Sequence, residues 1–194
     1  WEGKVYAVSD DGYLHCLDRD GTLLDSDKSV WAQGRMAWLL LTMYNQVEKR
    51  TQWLTWAESG IQFLEKHCVD QDGRFFFHVT REGLPIRKRR YAFSEAFAAI
   101  AQAAYARATG SDRAAERAID LFERFVFLNF TPGAVAAKFT DTRPLTGLAS
   151  RMITLVTARE LTKNLGEQPG LNGWMDRVIG EIISLFVKPE ERCV

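Results

Sequence analysis

Apolar residues recur at helical spacing in six stretches of the chain, and the stretches alternate between two kinds. Residues 29–48 are apolar almost all round. Trp31, Trp38 and Thr42 share a face with Arg35, while Met36, Leu40, Met43 and Val47 line another. A helix that is apolar on several faces is expected to be buried on several faces. Residues 52–67 carry a single stripe, Leu54, Ala57, Ile61 and Leu64, with Gln52, Thr55, Glu58, Ser59, Gln62 and Glu65 elsewhere. That predicts a surface helix with one apolar side. The pair then repeats. Residues 91–109 are nearly all apolar and end at Gly110, a plausible C-cap, and residues 112–128 set Ala115, Ile119, Phe122 and Val126 against Arg113, Glu116, Asp120 and Glu123. Residues 145–165 and 171–187 make a third pair, separated by Gly166 and Pro169.

Short strands are expected in the connections. "GYLHCLDRDGTLLD" and "GRFFFHVTREGLPI" each hold a DG or EG turn between apolar runs, which is hairpin chemistry. The two segments align. Arg19-Asp20-Gly21 matches Arg81-Glu82-Gly83, the helices that follow bring Trp31 and Phe93 into register, and Gln33 then matches Glu95. This spacing is longer than tetratricopeptide or HEAT repeats use. Concentric inner and outer helices suit an all-α toroid, of which three hairpins make about half. The expectation is one partial α/α-barrel domain over residues 1–194.

Composition narrows the partners. The chain has 194 residues, 46% hydrophobic, with 25 Lys plus Arg against 25 Asp plus Glu. That is enough for one domain with a sizeable core. Zero net charge favours neither nucleic acid nor an anionic membrane as a partner. The one dense basic run, "RKRR" at 87–90, reads as a solvated loop. Cys16, Cys68 and Cys193 are odd in number and form no CxxC pair, which argues against a disulfide framework or a zinc site and for a reducing, cytoplasmic setting. The longest apolar runs fall short of the ~20 residues that cross a bilayer. No signal-peptide pattern occurs. The first residue is Trp rather than Met, as expected of a fragment, and leaves room for a removed leader.

Arg35 is the first candidate for chemistry. A buried guanidinium is costly unless it meets a carboxylate or a ligand anion. Beside it, Gly34 costs ~1 kcal/mol relative to alanine inside a helix, which fits close approach by another backbone or a ligand. A structural ion pair is the competing explanation. Glu95 is the second candidate, with Tyr91, Gln102 and Tyr105 assigned to its face. If both inner helices line a cavity, Arg35 and Glu95 either meet a ligand there or pair with each other. His15 and His78 fall in the repeated strand segments and His67 ends a helix. None has a metal-ligand neighbour at suitable spacing, so no metal site is expected.

Three segments, "GYLHCLDRDGTLLDSDKSVWAQGRMAW", "DGRFFFHVTREGLPIRKRRYAFSEAFAAIA" and "KFTDTRPLTGLASRMI", resemble the N-acylglucosamine 2-epimerase family in order and spacing. The shared elements are LDRDG, K-x-x-W-x-Q-x-R, a TR-x-G-x-P segment before FSE-x-F, and TRP-L. The resemblance implies an (α/α)6 barrel acting on an open-chain sugar. One histidine removes the C2 proton and a second returns it on the opposite face, through an enediolate-like anion that needs a preorganised cation. On this resemblance Arg35 is that catalytic cation, buried so that water does not weaken its hold. Trp31 and Gln33 shape the pocket, Ser94 and Glu95 contact the sugar, and Arg143 belongs to the TRP element, with a structural role as an equal alternative. No cofactor is implied, although a nucleotide activates some members, and a homodimer is the family's habit.

The chain also departs from the family. The paired catalytic histidines belong to a second half with no counterpart here, and the family's first helix has none either. Asp11-Gly12 replaces Gly-Gly, and Arg151 replaces a proline. The expectation is a chain without turnover by itself. Competing expectations are a non-catalytic carbohydrate-binding module in which Arg35 pairs with Glu95, a glycosidase needing two carboxylates across a cleft, and an aldose–ketose isomerase of the mannose isomerase type.

Overall fold

In the computed structural model, which describes residues 5–8, 14–137 and 139–191, each of the six periodic stretches forms a helix. Trp1, Asp11, Gly12, Lys138 and Cys193 lie outside the described residues. The helices pair as α1 (Val30–Gln46) with α2 (Thr51–His67), α3 (Phe93–Thr109) with α4 (Asp112–Phe130), and α5 (Ala149–Leu165) with α6 (Pro169–Phe186). Short connections make each pair an antiparallel hairpin. α1, α3 and α5 therefore run the same way. α3 packs between α1 and α5, and each of the three is backed by the helix that follows it. The result is an arc of three inner–outer hairpins, half of a six-hairpin ring.

The ends follow local chemistry. Gly110 closes α3 in the left-handed conformation at φ 70°, and the Ser111 hydroxyl accepts from Ala114 N–H at 3.3 Å to cap α4. Pro169 does not merely separate the last two helices. It stands in the first turn of α6, where its missing N–H costs nothing.

α3 is enclosed on nearly every side, and its run of alanines lets both flanking helices close on it. Leu41, Leu64, Leu121, Phe125 and Leu161 fill the layer between inner and outer helices, each fully buried. Every such side chain contributes about 1.5–3 kcal/mol. α1 departs from its expected enclosure. It buries Val30, Gln33, Gly34, Ala37, Leu40 and Leu41 against α2 and α3, while Leu39 is 44% and Val47 75% exposed. Its main helix neighbours are α2 and α3, with Trp38 reaching α5 by donating its indole N–H to Glu160 at 3.0 Å, and the rest of its surface looks onto the concave side and the open edge of the arc.

The short strands form two three-stranded antiparallel sheets. β1 (Val5–Val8), β2 (Leu14–Leu17) and β3 (Leu23–Asp25) make the first, and β4 (Lys28–Ser29), β5 (His78–Val79) and β6 (Pro85–Arg87) the second. The expected hairpins are β2–β3 and β5–β6, with Gly21 at φ 83° and Gly83 at φ 93° following their turns. β4 matters most for the site. Ser29 pairs with His78, and Val30 N–H donates to Phe77 O at 3.0 Å, so the second hairpin is stitched to the start of α1. Among the described residues, no helix is long and apolar enough to cross a membrane.

Candidate active site

The site grows from the contact of α1 with α3. A Cβ on Gly34 would stand 3.1 Å from the Phe97 carbonyl carbon, oxygen and Cβ. Glycine is therefore needed for close approach by another backbone, one of the two reasons its position offered. That approach puts the next residue, Arg35, with its guanidinium 4.0 Å from the Phe97 ring centroid. Contrary to the expectation of burial, Arg35 is exposed, because it stands on the concave side of α1 where no helix of the arc covers it. Among the described residues no carboxylate pairs with it.

Trp31, one turn earlier, is held from three directions. Its indole N–H donates to the Ser94 hydroxyl at 3.0 Å. Its ring meets Phe77 edge-on at 4.9 Å and lies 5.7 Å from both Phe93 and Phe97. The Arg89 guanidinium sits 3.9 Å over Phe77 and 5.5 Å from the Trp31 ring. A rigid aromatic cluster thus flanks Arg35 at the N-terminal end of the inner helices, where aligned peptide dipoles favour negative charge. Beside it opens a cavity of about 620 Å³, lined by Arg90, Tyr91, Phe93, Asn129, Ser150 and Arg151 among others.

Glu95 turns away from this face. It is completely buried, and its Oε1 accepts from Phe75 N–H at 3.1 Å and lies 3.7 Å from Arg74 Nε. Burial pushes its carboxyl above the ordinary value. The Phe75 N–H and the Arg74 and Arg124 charges pull downward without prevailing. Arg74 in turn donates to the carbonyls of Arg89 and Arg90 at 2.8 and 3.1 Å, fixing the loop that delivers Arg89.

The profile of the N-acylglucosamine 2-epimerase (GlcNAc 2-epimerase) family matches residues 12–189. The chain belongs to this family. It is 34% identical to the N-acylglucosamine 2-epimerase of Homo sapiens over 130 residues, 65% of this chain and 30% of that protein. The cellobiose 2-epimerase of Eubacterium cellulosolvens is 32% identical over 146 residues, 71% of this chain and 35% of the other. The solved cellobiose 2-epimerase of Bacillus thermoamylovorans superposes with a TM-score of 0.76 at 20% identity, over 94% of this chain and 51% of that one. The chain therefore spans about half the length of that toroid and matches about a third of each curated relative.

The family's motif residues divide between two surfaces. Arg35 and Trp31 meet on the concave side, and Ser94 serves as acceptor for Trp31 from within the core, only 2% exposed. Gln33, 3% exposed, faces away from Arg35 and lines a separate cavity of about 470 Å³ with Asp25, Asp27 and His78. Glu95 does not pair with Arg35, and its enclosed carboxylate is open to no sugar in this conformation. Arg143 is exposed in the 131–148 connection, its N–H donating to Thr140 O at 3.0 Å, and it does not line the cavity beside Tyr91. Gln102 and Tyr105 point outward too, donating to Glu65 at 3.0 Å and Glu58 at 2.8 Å on α2.

The basic run is not the solvated loop its charge predicted. Lys88 bridges Asp70 and Asp72 at 2.6 Å each, Arg89 covers Phe77, and Arg90 donates to Ala137 O at 2.7 Å. Sequence reasoning missed Arg74, Phe77, Arg89 and Phe97. The FSE-x-F element does contain Phe97, and only its distance from Arg35 reveals what it touches. The histidines stand apart. His15 lies in β2, His67 ends α2 with its ring 5.0 Å from Phe63, and His78 lies in β5, so none is on an inner helix.

Proposed function

We propose that this three-hairpin unit is the cation-bearing part of a sugar 2-epimerase, an isomerase acting on the open-chain form of an N-acylhexosamine or related sugar. Arg35 is the catalytic residue it supplies. Removing the C2 proton next to the C1 carbonyl spreads negative charge onto the carbonyl oxygen, and an arginine fixed at that oxygen lowers the barrier by binding the charge as it forms. Arg35 offers five N–H donors and no acceptor. The observation that carries this is its guanidinium lying on an aromatic face rather than against a carboxylate, with its charge left available.

Proton removal and return need an acid–base pair, which the family takes from histidines outside the matched segments. The epimerase activity therefore belongs to a protein containing this unit and its complementary half. Such a reaction balances without a cofactor. Trp31 shapes the site and Ser94 acts through it, Gln33 belongs to the separate cavity beside His78, and Glu95 and Arg143 serve the fold rather than the sugar. The free thiols, with burial pushing Cys68 up to about 12, agree with a cytoplasmic protein. A homodimer, with no nucleic acid or membrane partner, is part of the same proposal.

The test uses the full-length protein in D2O with N-acetylmannosamine, N-acetylglucosamine, mannose and cellobiose, each followed by proton NMR. Deuterium at C2 with appearance of the 2-epimer is the expected result. A ketose product in place of the epimer would make it an aldose–ketose isomerase. Sugars that keep their C2 protons would remove the activity altogether.

A further inference from the structure

We infer that Phe97 is a positioning residue for Arg35, holding the guanidinium at the reacting carbonyl without neutralising it; this rests on the oxyanion role of Arg35 proposed above. A flexible exposed arginine does little for catalysis unless something fixes it. The usual device, a carboxylate partner, would occupy its donors and cancel its charge. An aromatic face does neither. At 4.0 Å from the ring centroid the guanidinium is attracted to the π-electrons, while its N–H groups remain free for an oxyanion.

Phe97 is built to serve as such a platform. Its residue is 9% exposed and belongs to α3, the most enclosed helix of the arc. Its ring lies 5.7 Å from that of Trp31, which is pinned by Ser94. Its backbone fits against Gly34 with no space for a Cβ, so the separation of the two helices, and with it the height of Arg35 over the ring, is fixed by contact. One residue thus sets both the helix spacing and the guanidinium position.

The experiment compares Phe97→Leu, Phe97→Tyr, Arg35→Ala and the Arg35→Ala/Phe97→Leu double variant in the full-length protein, with C2 exchange and epimer formation as readouts. Circular dichroism melting checks folding. The cation–π contribution predicts that Phe97→Leu lowers kcat roughly two- to fivefold with KM essentially unchanged. Phe97→Tyr keeps a ring face and restores most of the rate, and the double variant is no slower than Arg35→Ala. A Phe97→Leu protein with unchanged kcat overturns the inference while a defective Arg35→Ala protein leaves the oxyanion role standing. So does equal loss in Phe97→Tyr, or additive losses in the double variant. An Arg35→Ala protein with full kcat removes the oxyanion role and this inference together.

Discussion

The indole N–H of Trp31 donates to the hydroxyl of Ser94 at 3.0 Å, tying the first turn of α1 to the first turn of α3. The two residues are 63 positions apart and start the two helices that follow the repeated strand segments. The repeat in the sequence thus ends in a direct bond between its copies. Because Trp31 also touches Phe77, Phe93 and Phe97, the bond orders the whole aromatic cluster beside Arg35.

Ser94→Ala leaves that part-buried N–H without its acceptor, at a cost of about 1–3 kcal/mol. For a chain of this size each kcal/mol lowers the melting temperature by about 2–4 °C. Adding Trp31→Phe removes the stranded donor along with its lost partner, so the pair of changes should cost less than the sum of the two. Thermal unfolding followed by circular dichroism checks this, and additive costs would show that the bond contributes nothing.

Gly34→Ala and Gly60→Ala should move stability in opposite directions. Both gain up to ~1 kcal/mol of helix propensity. At Gly60 the nearest atom to an added Cβ is Ala37 Cβ at 3.9 Å, an ordinary contact, so the gain survives. At Gly34 the new atom meets Phe97 backbone at 3.1 Å, and the backbone of an enclosed helix has nowhere to go. Overpacking of ~1–3 kcal/mol then outweighs propensity. Urea midpoints for the two variants check the sign, and a stabilised Gly34→Ala protein would contradict the close-approach account.

Much of this was legible in the chain because helical period reports one-sided burial directly. All six helices follow from it, and the Gly110 cap and the two hairpins follow from glycine and turn chemistry. Periodicity does not report what covers an apolar face. Met36, Leu40, Met43 and Val47 made α1 look enclosed, whereas Leu40 is buried, Val47 and Leu39 are exposed, and Arg35 is exposed on the concave side that no helix covers. Likewise the match of Gln33 with Glu95 marked two buried polar positions, yet the partners of Glu95 come from Arg74 and Phe75 in a connection whose path no local pattern sets. Strands β1 and β4 are short, and pairing rather than composition makes them strands.

Glu95 should make stability depend on pH in a particular direction. Burial raises its carboxyl pKa in the folded chain. Between the ordinary glutamate value and that raised one, the folded state holds more protons than the unfolded state. Stability therefore falls as pH rises through the window, and the cost is absent below it. Glu95→Gln cannot ionise and keeps an oxygen for the Phe75 N–H. The stability difference between variant and parent should shift in favour of the variant as pH climbs from acidic towards neutral. Urea unfolding at stepped pH measures it, and a difference independent of pH would mean that Glu95 does not titrate in this range.

The isolated chain should show no 2-epimerase turnover, even with Arg35 correctly placed. Epimerisation needs one group to take the C2 proton and another to return it to the opposite face. Imidazoles suit both tasks near neutral pH. The three histidines of this chain do not form that pair. His67 ends an outer helix against Phe63, with the Gly83 backbone packed so tightly on it that an added Cβ there would stand 2.5 Å from His67 Cβ. His15, 8% exposed, and His78 are on strands of different sheets. A stabilised cation without an acid–base pair binds the developing charge but cannot start its formation. Incubation of the 194-residue chain with N-acetylmannosamine in D2O should leave C2 protonated, with the full-length protein run in parallel as the comparison. Exchange by the isolated chain at a comparable rate would require a proton acceptor among its own residues, and His78 beside Gln33 would be the first to replace.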